Sequence, residues 1–305
     1  MTAVPFGRSP KVSVLMTTYN HDRFVKQAIE SVVMQKADFE YELVIGEDCS
    51  IDRTREIVLE FQRKYPDRIR LLLAKRNLGM SVNWIRTLRA CRGQYVANLD
   101  GDDYLSSAYK LQKQADFLDA HPECSICFHA IRHTSDDPNI RPDVYRSPRK
   151  NLFTVEEILL FNFIPANAVM FRNGLIKEFP SWLGNVKTID WPMHILFAQH
   201  GKIGFINEVM SVYREHAGSA WRSMKYIQWV QEFIRVLELL NAELGFRYDN
   251  TIKSALCAWH FRLALEWAIH RNLAEAGKYA RICIAEYCGH RKFPAAWVLY
   301  QLGLW

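Results

Sequence analysis

From residue 12 the chain alternates short apolar runs with longer stretches in which apolar residues recur every three or four positions. "VSVLMTT" (12–18), "YELVIG" (41–46), "IRLLLA" (69–74) and "YVANL" (95–99) are continuous β-rich runs, as strands buried on both faces require. Between them, "HDRFVKQAIESVVMQ" puts Val25, Ile29, Val32 and Val33 on one helical face. "IDRTREIVLEFQRKYPD" opens on polar residues and is stopped by Pro66, and "MSVNWIRTLRACRG" ends at Gly93. "YKLQKQADFLDAHPE" predicts another helix and "CSICFHA" another strand. This alternation predicts βαβ units, hence an α/β fold with a mostly parallel sheet flanked by helices.

The pattern weakens at residues 134–150, which carry three prolines and no periodicity and read as a loop. Thr154 and Glu157 form a capping box for "VEEILLFN", and two apolar segments follow, "ANAVMFR" and "KIGFINEVMSVYR". From about Arg222 the periodicity is helical to the end, rich in Trp and Ala. The expected organisation is a catalytic-type α/β domain over 1–221 and a helical C-terminal extension over 222–305.

Composition changes the picture little. With 49% hydrophobic residues in 305, the chain can bury a substantial core. A net charge of +6 without basic blocks gives no sign of nucleic-acid binding. Seven cysteines without framework spacing, and no apolar leader in "MTAVPFGRSPKVSV", suggest a reduced, cytoplasmic protein. No run spans a bilayer, although Trp297, Trp305, Arg291 and Lys292 of the tail would suit the surface of a membrane or a contact with a second copy. Cys124 and Cys127 with His129 and His133 lie in a strand pattern, where residues three apart face opposite sides, so a zinc site is not expected there.

The chemistry gathers at the C-terminal ends of the predicted strands. The first ends in Thr17, Thr18, Tyr19 and Asn20, the second in Glu47, Asp48, Cys49 and Ser50, the third in Lys75, Arg76, Asn77 and Gly79. The fourth ends in Asp100, Asp102 and Asp103. Ligands of open α/β sheets bind outside these ends. Each loop alone could be ordinary turn and capping chemistry, but three clustered carboxylates repel one another unless a cation sits among them. Neither a dinucleotide-binding glycine fingerprint nor a P-loop is present, so a diphosphate would have to be held through Mn²⁺ or Mg²⁺ rather than a glycine nest.

"SVLMTTYNHDRFVKQAIESVVMQ", "ELVIGEDCSIDRTREIV", "KRNLGMSVNW" and "YVANLDGDDYL", in this order, resemble the family 2 glycosyltransferases, inverting enzymes of the GT-A fold that commonly build bacterial surface polysaccharides. The resemblance covers roughly residues 10–220. It implies that Thr17, Tyr19, Asp48 and Lys75 or Arg76, with Asn77 beside them, line a nucleoside pocket. It further implies that Asp102 binds the metal in a D-x-D motif, with Asp100 beside the ribose or the metal. "TIDW" resembles the segment of the catalytic base and places it at Asp190, although Ile189 stands where many members carry an acidic residue. "YREHAGSAW" resembles a Y-R-x-H-x-x-S motif and puts His216 near the metal or diphosphate. The implied partners are a nucleotide-diphosphate sugar, expected to be UDP- or dTDP-linked, and a saccharide or lipid-linked acceptor. Two other readings compete. A nucleotidyltransferase would need a glycine-rich loop after the first strand, and "TTYNHDRF" has no glycine. A non-catalytic nucleotide-sugar-binding module would have no need of Asp102 and Asp190.

Overall fold

The computed structural model describes residues 9–145, 150–219, 222 and 224–287. The chain divides into two compact units, residues 1–154 with 164–217 and residues 155–163 with 218–305. The helix opened by Val155 therefore groups with the C-terminal segment.

The first unit is built on one sheet. Strands β1 (Val12–Thr18), β2 (Tyr41–Glu47), β3 (Ile69–Leu73) and β4 (Tyr95–Asp100) are parallel, in the order β3-β2-β1-β4. Every residue of β1 and β2 is buried, which is why both read as unbroken apolar runs. Helices α1 (Val25–Val33), α2 (Thr54–Lys64) and α4 (Lys110–Ala120) cover one face, where Val25, Ile29, Val58, Leu111 and Leu118 pack with Val12, Val14 and Met16. Helix α3 (Met80–Ala90) lies against β1 and β2. It comes so close to β2 that a Cβ on Gly46 would sit 2.0 Å from Thr87 Oγ1.

The sheet continues beyond β4 with β9 (Met170–Arg172), β6 (Cys124–Ser135), β10 (Lys202–Glu215) and β5 (Tyr104–Leu105). Strand β9 runs antiparallel to both β4 and β6, while β6 and β10 are parallel to each other. The "ANAVMFR" segment thus splits into a 3₁₀ turn, Ala166–Ala168, and the short β9. Part of the expected 134–150 loop is strand, because β7 (Asp143–Tyr145) pairs with the end of β6 through Ile131, Arg132 and His133. The three residues of β7 are partly or fully exposed and too few to carry an apolar period. The short β8 (Leu152–Phe153) pairs with β10, and α6 (Asp190–Ala198) follows a 3₁₀ turn at Ser181–Asn185.

At the N-terminal end of the strands a buried carboxylate does structural work. Glu42 accepts from Ser13 Oγ at 2.7 Å, from Arg92 Nη2 at 2.8 Å and from Arg70 Nη1 at 3.2 Å. Burial opposes its charge, and these bonds together still hold its carboxyl below the ordinary value.

Lys110 opens α4 with no exposed surface, and its Nζ finds no hydrogen-bond partner among the described residues. Burial pushes its pKa down to about 7, with the Cys127 thiol opposing. In the unfolded chain a lysine titrates near about 10.4, so between that value and about 7 the unfolded state binds more protons and stability rises with pH. Lys110→Met is therefore expected to stabilise the protein by about 1–3 kcal/mol at pH 7 in urea unfolding. The gain should shrink as pH approaches 10. A gain independent of pH would contradict this account.

In the second unit, α5 (Val155–Leu160), α7 (Tyr226–Glu243) and α9 (Leu273–Ile282) surround α8 (Asp249–Ile269). Trp259 of α8 packs at a tilt against Phe233, which stacks in turn on Trp229. These aromatic rings fill a helix core, whereas Phe261 is 38% exposed. Among the described residues no helix is long and apolar enough to cross a membrane. Arg291, Lys292, Trp297 and Trp305, read above as a surface-binding set, lie outside the described residues.

Candidate active site

Strand order reverses between β1 and β4, since β2 and β3 continue on one side and β9 and β6 on the other. That is the crevice position of an open α/β sheet, and Thr17 and Asp100 face each other across it. The Thr17 hydroxyl donates to Asp100 Oδ1 at 2.8 Å. Burial, then the charge of Asp102 and that of Asp190, push the Asp100 carboxyl up to about 7 against this bond. Three of the sequence-predicted carboxylates are thus within electrostatic reach of one another.

Asp102 occupies the turn after β4, with 17% of its side chain exposed. His216 Nε2 lies 3.2 Å and His21 Nε2 3.7 Å from its Oδ2. Burial works against ionisation here, but the His21 charge and the His216 hydrogen bond outweigh it and hold the carboxyl below its ordinary value. The imidazoles come from the loop after β1 and from the residue just past β10, so three chain segments meet at one carboxylate.

Asp103 points inward. Its Oδ1 accepts the Arg214 backbone N–H at 2.8 Å, and burial followed by the charges of Asp102 and Asp100 raises its carboxyl well above the usual range. Arg214 pins the same turn. Its Nη1 donates to the Asp102 carbonyl at 3.0 Å, Nη2 bonds Gln27, and the guanidinium lies over Tyr104 at 4.5 Å and Phe24 at 5.3 Å.

Gly101 stands between Asp100 and Asp102 for a steric reason. A Cβ there would sit 2.6 Å from Thr18 Oγ1 and 3.0 Å from His21 Nδ1. Gly101→Ala should destabilise the protein by about 1–3 kcal/mol in urea unfolding, the usual cost of overpacking. A variant as stable as the parent would show that this turn has room to spare.

Asp48, at the end of β2, is buried, and both its oxygens are engaged. Oδ1 accepts from Leu78 N at 2.8 Å and Oδ2 from Gly79 N at 3.0 Å. It therefore fixes the loop between β3 and α3, with Asn77 adding bonds to the Asp48 carbonyl and to Gly79 N. Lys75 and Arg76 are exposed on that loop, and Tyr19 is 40% exposed at the end of β1. All these groups line the same end of the sheet.

Asp190 is the first residue of α6, where a negative charge is favoured by the helix dipole. It bonds Thr188 Oγ1. Its charge acts on Asp100 and Tyr213, and it opposes the burial that pushes His194, one turn further along α6, down to about 4.

With this geometry in place, the comparisons with known proteins are decisive. The Glycosyl transferase family 2 model matches residues 13–179. The chain belongs to glycosyl transferase family 2. An uncharacterized protein of Mycobacterium tuberculosis is 34% identical over 212 residues, 70% of this chain and 61% of that one. The match thus spans about three fifths of the length of that relative. The poly(ribitol-phosphate) beta-N-acetylglucosaminyltransferase TarS of Staphylococcus aureus is 23% identical over 263 residues, 82% of this chain and 44% of that one. Its structure with UDP-GlcNAc superposes with a TM-score of 0.59 at 16% identity, covering 89% of this chain and 91% of that one. The mannosyltransferase PcManGT from Pyrobaculum calidifontis, solved with GDP-Man and Mn²⁺, gives 0.57 at 16% identity over 99% of this chain and 81% of its own. These likenesses show the GT-A fold.

Of the residues singled out in the sequence, Thr17 and Asp100 thus meet at the strand-order reversal, Asp102 lies beside His216, and Asp190 is close enough for its charge to act on Asp100. Sequence reading missed His21 and Arg214. His21 follows Tyr19-Asn20 as one more polar loop residue, and Arg214 stood in a quoted motif without a role. Only the approach of β10 and of the loop after β1 to the turn after β4 gives them one. Among the described residues no three His, Cys, Asp or Glu side chains form a ready-made metal cage. Any cation held here would share its coordination with a bound ligand.

Proposed function

We propose that this family 2 protein is a metal-dependent, inverting glycosyltransferase that moves a sugar from a nucleotide diphosphate donor, UDP- or dTDP-linked, to a hydroxyl of a saccharide or lipid-linked acceptor. The observation that carries the proposal is Asp102, an ionised, partly exposed carboxylate flanked by His216 and His21 beside the strand-order reversal. A carboxylate and an imidazole are donors that would suit Mn²⁺ or Mg²⁺.

Asp102 and His216 would hold the cation, whose chemistry when bound is to neutralise the leaving diphosphate. Asp100, kept in place by Thr17, would lie beside the ribose or the metal. Asp48 would act chiefly by shaping the loop of Lys75, Arg76 and Asn77, whose exposed side chains and Tyr19 can meet the nucleoside. Asp190, at the start of α6, would take the proton of the acceptor hydroxyl. Arg214 holds the metal turn rigid. The names of TarS and of a Bacillus subtilis relative, a putative teichuronic acid biosynthesis glycosyltransferase, support a role in surface polysaccharide or glycoconjugate synthesis.

A panel of UDP-, dTDP- and GDP-sugars with Mn²⁺ should give diphosphate release for one base class, by at least about tenfold over the others. Release from none of them, in the presence of candidate acceptors, would count against the catalytic reading.

A further inference from the structure

The second unit contains a sulfur pair that plays no part in sugar transfer. Cys257, on α8, and Cys283, immediately after α9, are 2% and 4% exposed. Their sulfur atoms lie 2.9 Å apart across 26 positions of sequence, and the Cys283 thiol also approaches the Cys257 carbonyl at 3.4 Å. The neighbouring Ile284 is 69% exposed, so the pair lies one residue beneath the surface. Cys283 opens a π-helical turn, Cys283–Tyr287, a geometry that recurs at functional positions.

We propose that Cys257 and Cys283 are a disulfide-forming pair whose oxidation ties the end of α9 to α8. A metal is the rival use of two close thiols with His260 one turn along α8. Two thiolates bound to one zinc at about 2.3 Å each stand about 3.8 Å apart, well beyond the separation here. Nor do three ligating side chains group among the described residues.

The oxidant is a low-molecular-weight disulfide. One protein thiolate attacks it, forming a mixed disulfide and releasing one small thiol. The second protein thiolate then attacks the protein sulfur of that bond and releases the other small thiol. The protein loses two protons and two electrons, and the small disulfide is reduced to two thiols. Access is through local opening of the π-helical turn Cys283–Tyr287. The bond closes a loop that contains α9, which restricts the unfolded chain.

The test uses the full chain treated with glutathione disulfide and then digested with trypsin after alkylation. Peptide 254–262, bearing Cys257, should be joined to peptide 282–291, bearing Cys283, and dithiothreitol should separate them. Peptide 282–291 also carries Cys288, which lies outside the described residues, so Cys288→Ser and Cys283→Ser are run in parallel. The proposal requires the link to persist in Cys288→Ser and vanish in Cys283→Ser. The oxidised protein should melt higher than the reduced one by at least about 5 °C. Both cysteines alkylated singly after oxidation, a link that needs Cys288 rather than Cys283, stoichiometric zinc in the purified protein, or equal melting temperatures would each overturn it.

Discussion

On the proposed mechanism, Asp102→Asn is expected to weaken cation and donor binding together. The side chain keeps its shape but loses the charge that His21 and His216 stabilise. A divalent cation bound through one carboxylate and shared with a diphosphate then has only a neutral amide to hold. Calorimetry with Mn²⁺ and UDP should show affinity falling by at least about tenfold, and turnover should fall by about 10³-fold or more, the scale of a lost electrostatic stabiliser. Excess EDTA on the parent protein should reproduce the turnover defect, with recovery on adding Mn²⁺. Full activity in EDTA would remove the metal from the mechanism and leave Asp102 as a purely structural turn residue.

Asp190→Asn should separate from it. The amide cannot accept a proton from the acceptor, whereas the metal corner is untouched. Turnover is expected to drop by about 10²-fold or more, with Mn²⁺ and UDP affinity within about twofold of the parent. Matched calorimetry and turnover on both variants make the comparison. One coupling complicates it in a checkable way. The Asp190 charge helps to raise Asp100, after burial and Asp102, so the neutral variant should lower the pKa of Asp100 slightly. That shift can be followed by the pH dependence of UDP binding. Near-normal turnover in Asp190→Asn would mean that the base is another residue and that "TIDW" has been aligned wrongly.

Much of this protein is determined by local rules. Val12–Thr18 and Tyr41–Glu47 are strands because both their faces are covered, and that burial writes an unbroken apolar run into the sequence. Helices α1 to α4 follow from apolar recurrence and from breakers such as Pro66. The placing of Thr17, Asp48 and Asp100 at the crevice was legible because each lies at or just past the C-terminal end of such a strand, where a parallel sheet presents its ligand edge. The D-x-D run stood out for a reason of charge, since like carboxylates need compensation wherever they sit.

What only the tertiary structure decided depends on segments far apart in sequence. His216 and His21 meet Asp102 because β10 and the loop after β1 converge on it, a contact with no local signature. Asp48 looked like a nucleobase contact or a cap for α2, but the β3–α3 loop folds back so that its two oxygens hold Leu78 and Gly79. Asp190 stands in the first turn of α6, and only the fold brings its charge to bear on Asp100. The antiparallel β9 was hidden because three residues carry too little pattern to distinguish strand from turn. The assignment of 155–160 to the helical unit was equally invisible. A helix shows in its sequence which face is apolar, but not which partner will cover it, because burial is non-directional and any apolar surface can satisfy it.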